Sequence, residues 1–271
     1  MKLKKLLSLT LCALLLLGLT SCGKKSREQE LVVFAAASLT ETVTELAEQY
    51  QAAHEGVTIL CNFDSSGALK TQIQEGADCD LFISAGQKQM DQLDASAAAE
   101  KNSDSLDFVQ EGSRVDLLEN KVTLVVPEGN PQGIAGFDQL AGLIGHVDML
   151  LCMGNGDVPV GQYTSRILDY YGLDEDALAR AGRITYGSNV KEVATQVSEG
   201  SVDCGVIYCT DAFSAGLTVV DTATEEQCGR VVYPAAVMKN GKNAGLAADF
   251  LTFLRSEEAA SVFKSVGFTV D

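Results

Sequence analysis

Histidine is scarce in this 271-residue sequence, and its scarcity excludes several kinds of catalytic and metal site. The only histidines are His54 and His146, and no two cysteines have CxxC spacing, so none of the familiar zinc-ligand patterns is present. A GxSxG elbow is also missing, and neither histidine lies in one of the serine-containing loops described below. We therefore expect neither an enzyme nor a resident cofactor.

Positive charge is also in short supply. The sequence has 20 Lys and Arg against 37 Asp and Glu, which gives a formal net charge of −17. Because proteins bind nucleic acids through basic patches, this balance excludes a nucleic acid as the partner. A small anion remains possible, since hydrogen-bond donors inside a cleft can outweigh a distant net charge.

One long apolar run occurs, at residues 6–19, and it is too short to span a bilayer as a helix. It follows a lysine-rich start and ends in the residues LTSC, a pattern that predicts a signal peptide over residues 1–21 and a polar tether over residues 22–30. The LTSC segment resembles a bacterial lipobox, which implies that the thiol of Cys22 is acylated. We therefore expect an extracytoplasmic protein that a lipid on Cys22 anchors to the cell membrane; the alternative is a plain signal peptide with an incidental cysteine.

Cysteines are numerous even though they form no familiar metal-binding pattern. Of the eight, Cys12 lies in the predicted signal peptide and Cys22 is the predicted anchor. Six remain in the body of the chain: Cys61, Cys79, Cys152, Cys204, Cys209 and Cys228. Export allows disulfides, but free thiols are equally compatible with the sequence, which assigns no pairs.

Strand-type and helical patterns alternate along the rest of the chain, which is long enough for one large domain or two small ones. This alternation predicts an α/β fold with parallel sheets. The predicted strands lie at residues 31–35, 57–63, 81–83, 121–126, 149–153, 184–186, 205–208 and 231–237.

Four strand-to-helix junctions carry small or hydroxylated residues. They lie at residues 35–38, 64–67, 158–161 and 187–190. Free backbone N–H groups and a partial positive charge allow a helix N-terminus to bind an anion. Such ends gather at the carboxyl edge of a parallel sheet. Each junction taken alone is also explained by helix capping, for which Ser and Asn are preferred.

A set of short motifs resembles the periplasmic molybdate-binding proteins of ABC transporters. The resemblance covers essentially the whole chain after the tether, with the motifs in the same order. They are FAAASL (34–39), NFDSSGAL (62–69), DLFISA (80–85), VPVGQY (158–163), GVIY (205–208), YP (233–234) and GF (267–268).

This resemblance implies a two-lobed, type II periplasmic-binding-protein fold in which hinges join two α/β domains with mixed, mostly parallel sheets. Lobe 1 would comprise residues 31–119 and 233–271, and lobe 2 residues 120–232. It also implies a monomeric binding protein that captures molybdate or tungstate between the lobes. The protein would then deliver the ligand to an ABC permease with its ATPase.

Five residues correspond to the ligand-binding positions of that family. Ser38 and Ser66, on lobe 1, would donate hydroxyl and backbone N–H groups. Val160 and Val190, on lobe 2, would donate backbone N–H groups, and Tyr208 its phenolic hydroxyl. Molybdenum or tungsten would therefore be held only as an oxyanion.

The sequence departs from the family pattern at three positions. Gly67 stands where some members have a third serine, and Val160 replaces a common alanine, which a backbone donor tolerates. Asp64 lies beside the predicted site, where a carboxylate facing the ligand would repel a dianion. We expect Asp64 to point to solvent or to cap the following helix.

A shell made only of hydrogen-bond donors selects among oxyanions. Molybdate and tungstate are fully deprotonated dianions, whereas phosphate keeps a proton near pH 7 that such a shell leaves unpaired, at a cost of about 1–3 kcal/mol. Sulfate would have to be rejected by its smaller size. The alternative function is therefore a binding protein for another tetrahedral oxyanion such as sulfate or thiosulfate.

Overall fold

The structure is a computed structural model that describes residues 28–146 and 148–270. The predicted signal peptide and Cys22 lie outside the described residues. Within them, the first strand begins at Gln29, inside the predicted tether, because Gln29 and Glu30 already pair with the second strand.

Ten strands and eleven α-helices make up the described part of the chain. The strands are β1 (Gln29–Ala36), β2 (Val57–Asp64), β3 (Leu81–Ile83), β4 (Val115–Asn120), β5 (Val122–Val126), β6 (Leu151–Gly154), β7 (Ile184–Gly187), β8 (Cys204–Tyr208), β9 (Thr218–Thr222) and β10 (Val231–Val237). The helices are α1 (Thr40–Ala53), α2 (Ser66–Gln74), α3 (Gln87–Asp91), α4 (Phe137–Leu143), α5 (Pro159–Tyr170), α6 (Glu175–Arg180), α7 (Val190–Ser198), α8 (Cys209–Ala215), α9 (Glu225–Cys228), α10 (Ala244–Leu254) and α11 (Glu257–Ser265).

Two five-stranded sheets form the two lobes. Their strand orders are β2-β1-β3-β10-β4 and β7-β6-β8-β5-β9. In each sheet four strands point the same way, and only β10 in the first and β5 in the second are reversed. The prediction of a two-lobed α/β fold with mixed, mostly parallel sheets is confirmed.

The chain crosses between the lobes twice, and both crossings meet at one place. It leaves the first sheet at Asn120 and enters β5 at Val122, and it returns between β9 and β10. Asn120 pairs with Val231, the first residue of β10, so the two connections lie side by side. Adjacent connections of this kind form a hinge. The exact lobe boundaries at 119/120 and 232/233 stay a prediction.

Amphipathic helices pack against each sheet, and their packing fixes the positions of their N-termini. Helix α1 buries Val43, Leu46 and Tyr50, whose spacing places them on one face. Helix α7 buries Val193 and Val197 in the same way against the second sheet. Each fully buried side chain of this size contributes about 1.5–3 kcal/mol, so the helix ends are firmly positioned.

The six cysteines of the described chain are all free. Burial raises the pKa of Cys61 to about 11 and that of Cys152 to about 12, so these thiols stay protonated and unreactive. Within residues 28–146 and 148–270, no helix has the length and apolarity needed to cross a bilayer.

Candidate functional site

The five predicted binding residues line a single cavity between the lobes. Ser38 and Ser66 reach it from lobe 1, and Val160, Val190 and Tyr208 reach it from lobe 2. These residues are far apart in the sequence, and each lies at or just after the carboxyl end of a different strand. The topology of the two sheets therefore brings all five together.

Three helices begin at the cavity. Ser66 and Val190 are the first residues of α2 and α7, and Val160 is the second residue of α5. Pro159 occupies the first position of α5, where its missing N–H costs nothing. Since the first N–H groups of a helix have no partner within it, these residues present free donors and a partial positive charge.

The hydroxyl group of Ser66 has its proton free for the cavity. Its Oγ accepts the backbone N–H of Ala85 at 2.9 Å, and the side chain is fully buried. A backbone N–H can only donate, so Ser66 is the acceptor in this bond. The Ser66 proton is left for an acceptor in the cavity.

The hydroxyl group of Ser38 contacts a buried tyrosine. Ser38 lies in a 3-10 turn, Ala37–Leu39, directly after β1. Its Oγ is 2.9 Å from Oη of Tyr233, whose ring packs edge-on against Tyr208 and Phe268. The YP motif contains Tyr233, but the sequence assigned this tyrosine no role.

Tyr208 ends β8 and is fully buried beside the cavity. Burial raises the pKa of Tyr208 well above its ordinary value, so the phenol keeps its proton and acts as a donor. It donates to the carbonyl oxygen of Ala85 in lobe 1 at 3.4 Å. That bond is long, which leaves the proton available to a stronger acceptor in the cavity.

No ionised side chain lines the cavity in the part of the chain that the structure describes. Besides the five predicted residues, the lining consists of Ala36, Ala37, Ser65, Ala85, Val158 and Pro159. An uncharged lining with several free donors and helix N-termini suits an anion that carries no proton.

Asp64 does not have the capping role that is one of the two roles predicted from the sequence. It does not cap α2, and it is half-buried: its Oδ1 accepts the backbone N–H of Ser65 at 2.7 Å and the amide of Asn189, in lobe 2, at 3.4 Å. Ser65 provides the cap instead, through Oγ, which accepts the N–H of Ala68 at 3.2 Å. Asp64 is not among the residues that line the cavity.

Ser65 is the hydroxyl-bearing residue of the lining that was not predicted to bind the ligand. Capping is one explanation of the SSG segment in the sequence, and the structure gives Ser65 that role. Its Oγ serves as an acceptor toward α2, so its own proton is also free at the edge of the cavity. Two adjacent serines before a helix are the signal that could have identified it.

Residues 31–269 match the family of bacterial extracellular solute-binding proteins. The chain belongs to this family. It is 33% identical over 268 residues to the putative ABC transporter substrate-binding lipoprotein YvgL of Bacillus subtilis, covering 96% of each chain. It is 32% identical over 246 residues to the molybdate-binding protein ModA of Escherichia coli, covering 90% of each.

A solved structure is also similar. The substrate binding domain of a putative molybdenum ABC transporter from Clostridium difficile is 31% identical, with a TM-score of 0.64, and the match covers 89% of this chain and 99% of that one. Family membership confirms the prediction that this is an extracytoplasmic solute-binding protein and not an enzyme. The molybdate-binding relatives confirm the resemblance that the sequence motifs indicated.

The two lobes of this solute-binding protein contact each other around the cavity. Lys191 at the start of α7 forms an ion pair with Glu41 of α1, with Nζ to carboxylate distances of 2.8 and 2.9 Å. Nε2 of Gln89 donates to the backbone carbonyl of Asp157 at 3.4 Å. These contacts join elements of opposite lobes, as expected of a protein whose lobes close around a solute.

Proposed function

We propose that this solute-binding protein captures molybdate or tungstate between its lobes and delivers it to the permease of an ABC importer. The observation that carries the proposal is the convergence of three helix N-termini, two free serine protons and a neutral phenol on one uncharged cavity. The names and coverage of the ModA and molybdenum-transporter relatives support the choice of ligand.

The proposed ligand shell consists of Ser38, Ser66, Val160, Val190 and Tyr208. Each hydrogen bond to a charged acceptor contributes about 1.5–3 kcal/mol, so several together support tight binding after the cost of lobe closure. A monoprotonated anion finds no acceptor among these donors, which disfavours phosphate. The sulfate ion passes that test and is excluded by its shorter bonds, which leave its oxygens too near the centre to reach every donor.

The proposal includes the arrangement of the whole chain. Lobe 1 comprises residues 31–119 and 233–271, lobe 2 comprises residues 120–232, and the protein acts as a monomer. Cys22 carries the lipid that holds it at the membrane, where the permease and its ATPase operate. The name of the B. subtilis relative, which calls it a lipoprotein, supports the anchor.

Ligand capture and lobe closure are one event in this mechanism. Donors of lobe 1 and lobe 2 bind the same anion, so the anion has a higher affinity for the closed arrangement and shifts the population toward it. The ion pair between Lys191 and Glu41, at the rim of the cleft, further stabilises the closed state. The permease would then recognise the closed conformation of the two lobes.

Isothermal titration calorimetry with four anions tests the proposed function. The purified protein is expected to bind molybdate and tungstate tightly and to give no measurable heat with sulfate or phosphate. Mass spectrometry of protein from membranes tests the anchor, since acylation of Cys22 adds a defined mass. A preference for sulfate would replace the molybdate assignment with the alternative function, and binding of none of the four anions would overturn the proposal.

A further inference from the structure

We propose that Asn120 and Tyr233 are positioning residues that turn the hydroxyl proton of Ser38 into the cavity. This inference rests on the proposed function and deepens it, because it explains how one serine is kept as a donor to a proton-free anion. Neither residue lines the cavity, and both act through Ser38.

The argument starts from the single proton of Ser38. A hydroxyl group has one proton and can either donate it to Tyr233 or donate it to a ligand. The contact between Ser38 Oγ and Tyr233 Oη, at 2.9 Å, fits either direction on distance alone. Ser38 serves an oxyanion only if Tyr233 is the donor in this bond.

The orientation of the Asn120 amide decides the direction. Its Oδ1 accepts the backbone N–H of Lys121 at 2.8 Å, and a backbone N–H can only donate, so this atom is the oxygen. The other atom is therefore the nitrogen, which donates to Tyr233 Oη at 3.1 Å and to Thr210 Oγ1 at 3.0 Å. Both protons of the amide are used, and flipping it would place nitrogen against a donor.

The bond from Asn120 to Tyr233 sets the direction of the next bond, from Tyr233 to Ser38. Because Oη of Tyr233 accepts from Asn120, its own proton is free to donate to Ser38 Oγ. Burial raises the pKa of Tyr233 well above its ordinary value, so that proton is always present. The chain of donors runs from Lys121 N–H through Asn120 and Tyr233 to Ser38, whose proton is left for the cavity.

The chain of donors is anchored at the hinge. Asn120 is the last residue of β4, where the polypeptide leaves lobe 1, and Thr210 belongs to α8 of lobe 2. Oδ1 of Asn120 also accepts a long bond from the thiol of Cys209, at 3.1 Å from sulfur. The amide is thus held from both lobes and cannot turn without breaking contacts to each.

This arrangement also disfavours protonated anions at Ser38. One of the two lone pairs of Ser38 Oγ is occupied by the tyrosine proton, which reduces the capacity of Ser38 to accept a proton from a ligand. Removing the Tyr233 hydroxyl frees that lone pair. The same change therefore weakens molybdate and favours an anion that carries a proton.

The test is Tyr233→Phe, which keeps the ring and removes the hydroxyl. Calorimetry is expected to show a Kd for molybdate about ten-fold higher than in the wild type, the effect of one buried hydrogen bond. The ratio of the phosphate Kd to the molybdate Kd, measured by competition, is expected to fall by more than that factor. Tyr171→Phe is the matched control, because its hydroxyl bonds Asp138 and Gln227 away from the cavity, and its Kd is expected to be unchanged.

A double-mutant cycle separates positioning from a general loss of structure. In a Ser38→Ala background, Tyr233→Phe is expected to change the molybdate Kd by less than about two-fold, since the residue it acts through is gone. An unchanged Kd in the single variant, or an equal loss in both backgrounds, would overturn the inference.

Asn120→Asp serves as a second variant should Tyr233→Phe fold poorly. The carboxylate accepts from Tyr233 instead of donating to it, which reverses the chain of donors and turns the Ser38 proton away from the ligand. A loss that disappears in the Ser38→Ala background supports the inference, whereas an equal loss in both backgrounds is a field effect of the new charge and contradicts it.

The wild-type titration keeps this inference separate from the proposed function. If the wild type binds sulfate instead of molybdate, the molybdate assignment fails, and the same cycle is run with sulfate, which also needs only donors. Binding of no oxyanion by the wild type would overturn both.

Discussion

A β-carbon on Gly67 would lie 2.2 Å from the backbone carbonyl oxygen of Asp157 in the opposite lobe. Real Cβ atoms do not approach an oxygen so closely, so only glycine lets the lobes meet in this arrangement. Gly67 is also the position at which some members of the resembled family have a serine.

Gly67→Ala is expected to hinder closure without harming the fold. Alanine favours helix α2, yet its methyl group forces Asp157 away, so the molybdate Kd should rise about ten-fold or more. Small-angle X-ray scattering with saturating ligand should give a larger radius of gyration than the wild type. Gly142→Ala in α4 is the control, since a β-carbon at that position would have no atom within 4 Å, and it should bind normally. Wild-type affinity in Gly67→Ala would contradict the role assigned to this contact.

Ser66→Ala is expected to weaken molybdate binding by about ten- to a hundred-fold, the worth of a hydrogen bond to a charged acceptor. It also leaves the N–H of Ala85 without its partner. Ser256→Ala removes a serine that caps α11 through the N–H of Ala259, far from the cavity. Calorimetry and thermal unfolding should show that this control loses about 1 kcal/mol of stability and keeps its affinity. Equal affinities for the two variants would remove Ser66 from the ligand shell.

Glu41→Gln is expected to speed ligand release modestly, because it removes the ion pair with Lys191 that joins the lobes. Both partners are partly exposed, so the effect on the dissociation rate should be at most about five-fold. Stopped-flow release at low and high salt checks it, since screening should shrink the difference. Glu45→Gln, whose partner Gln49 lies on the same helix, should release ligand at the wild-type rate. A salt-independent effect would argue against the ion pair.

Asp211 makes the stability depend on pH. Burial raises the pKa of its carboxyl group from 3.8 to about 7, Lys191 opposes this shift with Nζ 3.4 Å from Oδ1, and Glu41 adds to it. The folded state binds this proton more tightly than the unfolded chain. The resulting stabilisation is therefore fully present below pH 3.8 and is lost as the pH rises through about 7.

Asp211→Asn should consequently differ from the wild type only above pH 3.8, where the unfolded chain loses the proton that the folded state keeps. The variant mimics the protonated carboxyl group, so its melting temperature should match the wild type below pH 3.8, exceed it by a growing margin up to about pH 7, and stay several degrees higher above that. Differential scanning calorimetry across this range measures the difference. Parallel curves for the two proteins would show that Asp211 does not titrate in the folded state near neutral pH.

The sequence was most informative where apolar periodicity and short motifs coincide. The strands that carry the binding loops, such as Leu81–Ile83 and Cys204–Tyr208, were predicted within a residue or two because they are short, buried and continuous. The family resemblance then predicted a single site, and its residues line one cavity in the structure. They are Ser38, Ser66, Val160, Val190 and Tyr208. Local pattern and family motif were sufficient for these features.

Other features depend on contacts that no local pattern encodes. Helix α8 was not predicted, since Cys209–Ala215 is short and mixed in character, yet it supplies Thr210 to the hinge. Strands β4 and β9 also escaped prediction because their faces are only half-buried. The bond between Tyr233 and Asn120 joins residues 113 positions apart, which only the pairing of β4 with β10 in the first sheet brings together.

Anomalous scattering from molybdenum or tungsten in crystals grown with the anion tests the central claim most directly. The account predicts one strong peak between the lobes, with oxygens in hydrogen-bond reach of the Ser38 and Ser66 hydroxyls, the Val160 and Val190 N–H groups and the Tyr208 phenol. A peak elsewhere on the protein, or none in crystals with closed lobes, would contradict it.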